Sequence, residues 1–203
     1  MSGLAELVGQ AELLAGAGGR RLLGITGPPG AGKSRLAARL AAELGPQRAV
    51  LVGMDGFHIG DAELRRTGLW QLKGAPQTFD RAGYRTLLHR LREESGPVYA
   101  PVFDRRIEDS IAAAVLVPPQ VPLVITEGNY LLHWPEIGPL LDEVWYLDPP
   151  LQARQAGLIA RQVAFGRTPE QARERAGGSD QHNAELVATG RDRADRVLDW
   201  ADW

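Results

Sequence analysis

The chain has 203 residues, and 23 Lys and Arg against 25 Asp and Glu give a formal net charge of −2. This length predicts one domain whose core is large enough to be stable without disulfides or a structural metal ion. The chain has no cysteine, which excludes disulfides and thiolate metal sites. The charge balance argues against nucleic acid as the main partner, and no apolar stretch is long enough to span a bilayer.

Hydrophobic patterning predicts alternating helices and strands in the first third of the chain. The N-terminal segment favours an amphipathic helix over residues 4–14. Two apolar runs at 22–26 and 49–54 read as buried strands, and the segment 35–44 between them reads as a helix.

The central third has weaker patterning. A short helix over 62–66 is predicted with Asp61 as its N-cap, and a longer helix is predicted from Asp80, its N-cap, to about residue 94. Short strands are expected at 98–103 and 113–117.

The last third returns to clear alternation. A helix that begins after Asp148-Pro149-Pro150 is expected to reach about residue 165. Thr168 and Gln171 have the spacing of a capping box, and a further helix is expected over 182–193. The remaining predicted strands are 121–126, 143–147 and 196–200.

A glycine-rich run between the first strand and its helix fits the pattern G-x-x-x-x-G-K-[ST]. Backbone N–H groups of such a turn and the positive end of the helix dipole attract phosphate oxygens. Lys33 would reach the outer phosphates, and the Ser34 hydroxyl would ligate magnesium. The predicted nucleotide site is Gly27, Pro28, Pro29, Gly30, Ala31, Gly32, Lys33, Ser34 and Arg35.

Two acids stand at the ends of other predicted strands. Asp55 follows the strand 49–54 and could accept the proton of an acceptor hydroxyl, although a solvated turn aspartate is the alternative. Glu127 follows the strand 121–126 and could ligate magnesium directly or through water, or merely cap a turn. Order along the chain leaves open which acid meets the metal and which meets the substrate.

Alternating strands and helices predict an α/β fold with a mostly parallel sheet and helices on both faces. Ligands of such sheets bind at the carboxyl ends of the strands. The glycine-rich run, Asp55 and Glu127 all lie at predicted strand ends. The sequence therefore predicts that they form one active site.

Basic and polar residues elsewhere supply candidates for the rest of the site. Arg161 and Arg167 could close over the phosphates as a lid, with Arg154 a weaker candidate, or could form a solvated basic helix face. The substrate-binding candidates are Phe57, His58, Lys73, Asp104, Arg105 and Glu127. For Lys73, Asp104 and Arg105 the alternative is a surface salt bridge.

Several segments together resemble the P-loop kinase superfamily of uridine kinase, pantothenate kinase and phosphoribulokinase. They are GITGPPGAGKS, MDGFH, KGAPQTFD, YAPVFDRRIED and ITEGNYLL. Within that superfamily the chain is most similar to small bacterial uridine kinase-like proteins, which carry labels such as nucleoside/nucleotide kinase family or fructose transport system kinase. Its KGAP and FDR segments are nearer to pantothenate kinases.

The resemblance implies a three-layer P-loop NTPase fold that forms a single domain over residues 1–203. Substrate-binding insertions are expected at about 56–80 and 98–112, and a lid at about 154–170. Asp55 matches the catalytic base of the family, Glu127 matches the acid of its EG motif, and Arg161 and Arg167 fall in its mobile lid.

The expected activity is transfer of the γ-phosphoryl group of ATP, with Mg²⁺, to a hydroxyl of a sugar, nucleoside or pantothenate-like acceptor. The alternative is an NTPase that serves a protein partner, but the chain lacks the N-K-x-D motif of GTPases and an L-S-G-G-Q-like signature. The expected setting is the cytoplasm, with a small-molecule substrate, no nucleic acid and no membrane. The oligomeric state stays open between a monomer and a homodimer.

Overall fold

The structure is a computed structural model that describes residues 3–199. Its helices are α1 Leu4–Gly16, α2 Lys33–Leu44, α3 Asp61–Arg66, α4 Arg81–Glu93, α5 Leu151–Ala164, α6 Pro169–Gly177 and α7 Ser179–Ala188. Its strands are β1 Arg21–Thr26, β2 Ala49–Gly53, β3 Val98–Asp104, β4 Asp109–Val117, β5 Leu123–Glu127, β6 Glu143–Asp148 and β7 Arg196–Asp199. Trp200, which the sequence placed in the last strand, lies outside the described residues.

Five strands form one sheet in the order β2-β5-β1-β6-β7, and every neighbouring pair is parallel. The inner strand β5 is buried along its whole length, as expected for a sheet covered on both faces. One apolar cluster packs α1 and α2 against one face, and a second packs α4 and the loop after β5 against the other. The predicted three-layer α/β fold is confirmed.

The strands β3 and β4 form a separate antiparallel hairpin that packs beside the turn after β2. β4 begins at Asp109, four residues before the predicted strand, because Asp104 and Asp109 still pair across the hairpin. The polar stretch expected to separate two strands is therefore only the tip of a hairpin. This hairpin brings Arg105 to the sheet edge where β2 ends.

Helix caps follow the sequence in two places and depart from it in a third. Asp80 accepts a hydrogen bond from the Gly83 amide, and Thr168 forms the predicted capping box with Gln171. The prediction that Asp61 is an N-cap is wrong, because Gly60 holds that position and Asp61 is the first helical residue. The Asp61 carboxylate is free to pair with Lys73 instead.

Two element boundaries also differ from the predicted ones. α7 begins at Ser179 and ends at Ala188, with Gly178 as its N-cap and Thr189 as its C-cap. β5 starts at Leu123, after the proline, and includes Glu127 as its last residue. Within residues 3–199, no helix is long and apolar enough to cross a membrane.

Candidate active site

The glycine-rich run from Gly27 to Ser34 joins β1 to α2, as the motif requires. Gly27, Gly30 and Gly32 have φ angles of 144°, 84° and 88°, which disfavour residues with a side chain. A Cβ atom on Gly27 would lie 2.5 Å from the carbonyl oxygen of Leu147, and one on Gly30 would lie 2.9 Å from that of Arg154. The loop therefore needs glycine both for its backbone and for close packing against β6 and α5.

Lys33, the first residue of α2, is buried, and its side chain reaches back to the start of the loop. Its Nζ donates hydrogen bonds to the carbonyl oxygens of Gly27 and Pro28, each at 3.0 Å. Burial lowers the pKa of the ammonium group, while the charges of Glu127 and Asp55 oppose that shift. The loop thus holds a cation in place where phosphate oxygens would arrive.

Glu127 ends β5 between the two strands that carry the other site residues. The parallel register pairs it with Ile25 of β1 and Gly53 of β2. Its Oε1 accepts a 3.2 Å hydrogen bond from the Ser34 hydroxyl. Burial and the nearby Asp55 raise the pKa of Glu127, whereas Lys33 lowers it.

Asp55 lies in the single helical turn that follows β2. Its Oδ2 forms a 3.3 Å ion pair with Arg105 of the hairpin tip. Its carbonyl oxygen accepts hydrogen bonds from the His58 amide at 3.1 Å and is 2.8 Å from His58 Nδ1. The His58 ring in turn contacts Phe79 and Phe103, with ring centroids 4.0 and 4.7 Å away. Asp55 is thereby anchored at both its backbone and its side chain.

A single cleft of about 490 Å³ collects most of the predicted site residues. Those that line it are Pro29, Gly30, Lys33, Ser34, Asp55, His58, Lys73, Arg105, Glu127, Arg161 and Arg167. The structure does not bring the other candidates to the cleft surface: Gly27, Pro28, Ala31, Gly32, Arg35, Phe57, Asp104 and Arg154. Phe57 packs against Tyr84 at a ring distance of 5.3 Å, and Asp104 pairs with Arg106 at 2.7 Å.

The end of the cleft opposite the glycine-rich loop contains residues that sequence reasoning missed. Asp61 and Trp70 line it together with Lys73. Asp61 accepts hydrogen bonds from Lys73 Nζ and, at 3.2 Å, from Trp70 Nε1. Lys73 Nζ also donates to the carbonyl oxygen of Glu108 in the hairpin tip. No spacing in the sequence predicts these contacts, because they join the start of α3 to later loops and not to another residue of the same helix face.

The segment α5 to α7 covers the other side of the cleft. Arg161 and Arg167 lie there with exposed side chains, and α7 contributes Asp180 and Asn183. Arg154, the weaker candidate, is 4% exposed and donates to the Pro29 carbonyl oxygen at 3.4 Å. It therefore ties α5 to the loop instead of facing the cleft.

The sequence of this chain is similar to those of known proteins, although not to a family model. No family model matches the chain. A Schizosaccharomyces pombe protein named "Putative uridine kinase" is 33% identical over 194 residues, which cover 88% of this chain and 83% of that protein. The chain belongs to the P-loop kinase superfamily.

Two further comparisons agree with this P-loop kinase assignment. A crystal structure of a "putative fructose transport system kinase" from Silicibacter sp. TM1040 has a TM-score of 0.88 and 37% identity, and covers 98% of this chain and 100% of that one. A pantothenate kinase of Leifsonia xyli is 33% identical over 117 residues, 55% of this chain and 36% of that protein. Relatives of this kinase are thus small-molecule kinases, and the predicted fold and superfamily are confirmed.

A P-loop kinase uses a nucleotide and usually Mg²⁺, and the residues present suit both. The Ser34 hydroxyl and the Glu127 carboxylate are 3.2 Å apart and offer the oxygen ligands that Mg²⁺ prefers. Within residues 3–199 no group of three His, Asp or Glu side chains could hold a metal alone. An ion held by Ser34 and Glu127 would take its other ligands from phosphates and water.

Proposed function

We propose that this kinase transfers the γ-phosphoryl group of ATP to a hydroxyl group of a small metabolite. A sugar, a nucleoside and a pantothenate-like alcohol are the acceptor classes that its superfamily suggests. The observation that carries the proposal is the shared cleft of Lys33, Ser34 and Asp55. A phosphate cradle and an acid that can orient an acceptor then face the same space, which simple nucleotide hydrolysis does not require.

Asp55 is the proposed base. Its carboxylate would orient the acceptor hydroxyl and take its proton, and the loose transition state of phosphoryl transfer needs little early deprotonation. The 3.3 Å pair with Arg105 fixes the direction of the carboxylate. Because Arg105 also lines the cleft, it can contact the acceptor as well.

The glycine-rich loop is the proposed donor site. Lys33 would exchange its two carbonyl partners for phosphate oxygens, at little cost because it stays buried and charged. Ser34 and Glu127 would hold Mg²⁺, which neutralises charge on the phosphates when it is bound. Burial raises the pKa of Glu127, so a cation beside it would stabilise the charged form of this carboxylate.

The segment of about 154–170, which covers most of α5 and the start of α6, is the proposed lid of a single domain that spans residues 1–203. Arg161 and Arg167 would stabilise the charge on the transferred group and exclude water when the lid closes. The segments 56–80 and 98–112 would form the acceptor side, where His58, Lys73 and Arg105 line the cleft.

A screen for ADP release tests this proposal. Purified protein with ATP and Mg²⁺ would be offered sugars, nucleosides, vitamins and their phosphates, and mass spectrometry would identify a product heavier by one phosphoryl group. ADP release that depends on one acceptor class is the expected result. Rapid hydrolysis of ATP that ignores every acceptor would replace the kinase with an NTPase that serves a protein partner.

A further inference from the structure

Arg175 is a cleft residue that neither the motifs nor the proposed mechanism uses. It lies on α6, which the capping box of Thr168 starts and which buries Ala172 and Ala176. Its guanidinium reaches the cleft wall, where Nη2 donates a 3.3 Å hydrogen bond to the carbonyl oxygen of Lys73. Because α6 is capped and packed in place, it holds the Arg175 guanidinium at the cleft wall.

The wall that Arg175 touches belongs to the acceptor side. The carbonyl oxygen of Gly74 accepts hydrogen bonds from the Tyr130 hydroxyl at 2.6 Å and from Asn183 Nδ2 at 3.3 Å. This segment carries the Lys73 side chain, whose ammonium group lies against Asp61. Arg175 thus stands beside the proposed acceptor site on a wall that three other elements hold in place.

Two cations at this end of the cleft form ion pairs with carboxylates of the described residues, and a third, Arg175, does not. Lys73 pairs with Asp61, and Arg105 pairs with Asp55. Among residues 3–199 Arg175 has no carboxylate within ion-pair distance, and its buried Nε has no hydrogen-bond partner. A buried donor without a partner costs about 1 to 3 kcal/mol, more when it is charged, so native proteins rarely keep one without a purpose.

Asp180 of α7 lines the cleft together with Arg175, and Arg175 is the charged group that acts on it most strongly. Burial raises the pKa of Asp180, while the positive charges of Arg175, Arg161, Arg154 and Arg167 lower it. Its Oδ2 is also buried and has no partner in the described part of the chain, so the two side chains do not satisfy each other. Arg175 consequently remains available to an anion that enters the cleft.

Three rings of the cleft wall, those of His58, Phe79 and Phe103, leave no open stacking slot between them. His58 lies against Phe79 and Phe103 at centroid distances of 4.0 and 4.7 Å. A stacked ring needs about 3.5 Å on each side, the ordinary carbon contact distance, so a base could not enter between these rings unless they moved. These three rings therefore offer no sandwich site for an aromatic acceptor.

We propose that Arg175 binds an anionic group of the phosphoryl acceptor. The acceptor is then a small alcohol that also carries a carboxylate or a phosphate. This inference rests on the proposed kinase activity and adds a specificity-determining residue and a substrate class to it. Carboxylate and phosphate both accept the planar fork of a guanidinium, so the geometry of Arg175 suits either.

Matched acceptor pairs test this inference. Pantothenate would be compared with its neutral alcohol, pantothenol, and several sugars with their acids and phosphates, each by ADP release and product mass. The charged member of at least one pair should have the higher kcat/KM. A response to sugar acids or pantothenate identifies a carboxylate, and a response to sugar phosphates identifies a phosphate.

Variants of Arg175 link that preference to the residue. R175Q should raise KM for the charged acceptor roughly 10- to 100-fold, the effect of a lost charge-assisted hydrogen bond, with KM for ATP unchanged. R175K should recover part of the loss. R173Q is the matched control, because Arg173 is an exposed arginine of the same helix and does not line the cleft.

The outcomes separate this inference from the kinase proposal. Equal kcat/KM for charged and neutral members, or an R175Q variant that keeps the wild-type KM for the charged acceptor, overturns the inference and leaves the kinase standing. ATP hydrolysis without transfer to any compound overturns both. A tenfold loss in R175Q that also appears for neutral acceptors contradicts anion binding and indicates a structural role.

Discussion

The carboxylate of Asp55 and the guanidinium of Arg105 form a 3.3 Å ion pair that joins the turn after β2 to the tip of the β3–β4 hairpin. The pair is 31% and 43% exposed, so it contributes little to stability. The ion pair matters for geometry instead, because it directs the Asp55 carboxylate, the proposed base, into the cleft. The activity of the enzyme should therefore depend on this hairpin as well as on the P-loop.

Lys33→Ala should lower kcat/KM for ATP by about 100-fold or more, since it removes the buried cation that the phosphates would meet. Steady-state ADP release measures the effect. Arg39→Ala is the control, because Arg39 is an exposed cation of the same helix α2. Unchanged ATP turnover in the Lys33 variant would count against the donor site.

Glu127→Gln should raise the Mg²⁺ concentration needed for half-maximal activity, because it removes the proposed carboxylate ligand and keeps the shape of the side chain. A Mg²⁺ titration at saturating ATP measures this shift. Binding of ATP without Mg²⁺ should change little. An unshifted Mg²⁺ requirement would remove Glu127 from the metal site.

Gly27→Ala should lower the free energy of unfolding by about 2 to 4 kcal/mol, through an unfavourable φ angle and a clash with the Leu147 carbonyl oxygen. Urea denaturation measures the loss. Gly19→Ala is the matched control, since Gly19 has a φ of 66° but no atom within 4 Å of its added Cβ. It should cost only about 1 kcal/mol. Equal losses would mean that close packing at Gly27 does not matter.

Stability should fall at acidic pH because of His58. Burial lowers the pKa of this imidazole, with Asp55 opposing the shift and Lys73 and Arg105 adding to it. A lowered folded-state pKa contributes stability above the unfolded value of about 6.5, and that contribution is lost as pH falls through the folded value. The free energy of unfolding should therefore drop between pH 7.5 and pH 5.5.

His58→Gln should weaken this pH dependence, and urea denaturation at both pH values measures it. His182→Gln is the control, because His182 is exposed and should leave the wild-type dependence in place. An identical drop in wild type and the His58 variant would assign the pH effect to other groups.

Strong local patterns were enough to predict most of the fold. Buried apolar runs gave the five strands of the parallel sheet, and the motif from Gly27 to Ser34 lies where its pattern requires. The predicted Asp61 cap was wrong because Gly60 is the N-cap, and the Asp61 carboxylate pairs instead with Lys73, twelve residues later. That contact depends on the path of a loop, which local propensity does not contain.

The sequence predicted only part of the candidate site, because local patterns do not contain the contacts between distant loops. Asp55 and Glu127 follow apolar runs, so the sheet topology places both at one edge. Arg175 looked like any arginine of a polar helix. Its proposed role depends on the contact between α6 and the wall formed by Lys73 and Gly74. That contact joins residues about one hundred positions apart in the sequence.

The central claim is that Asp55 directs phosphoryl transfer to an acceptor hydroxyl. The most direct test is single-turnover transfer by Asp55→Asn with the acceptor identified in the screen, alongside ATP binding by calorimetry. The account predicts that transfer falls by about 100-fold or more while the affinity for ATP stays near that of the wild type. Transfer at the wild-type rate by Asp55→Asn would contradict it.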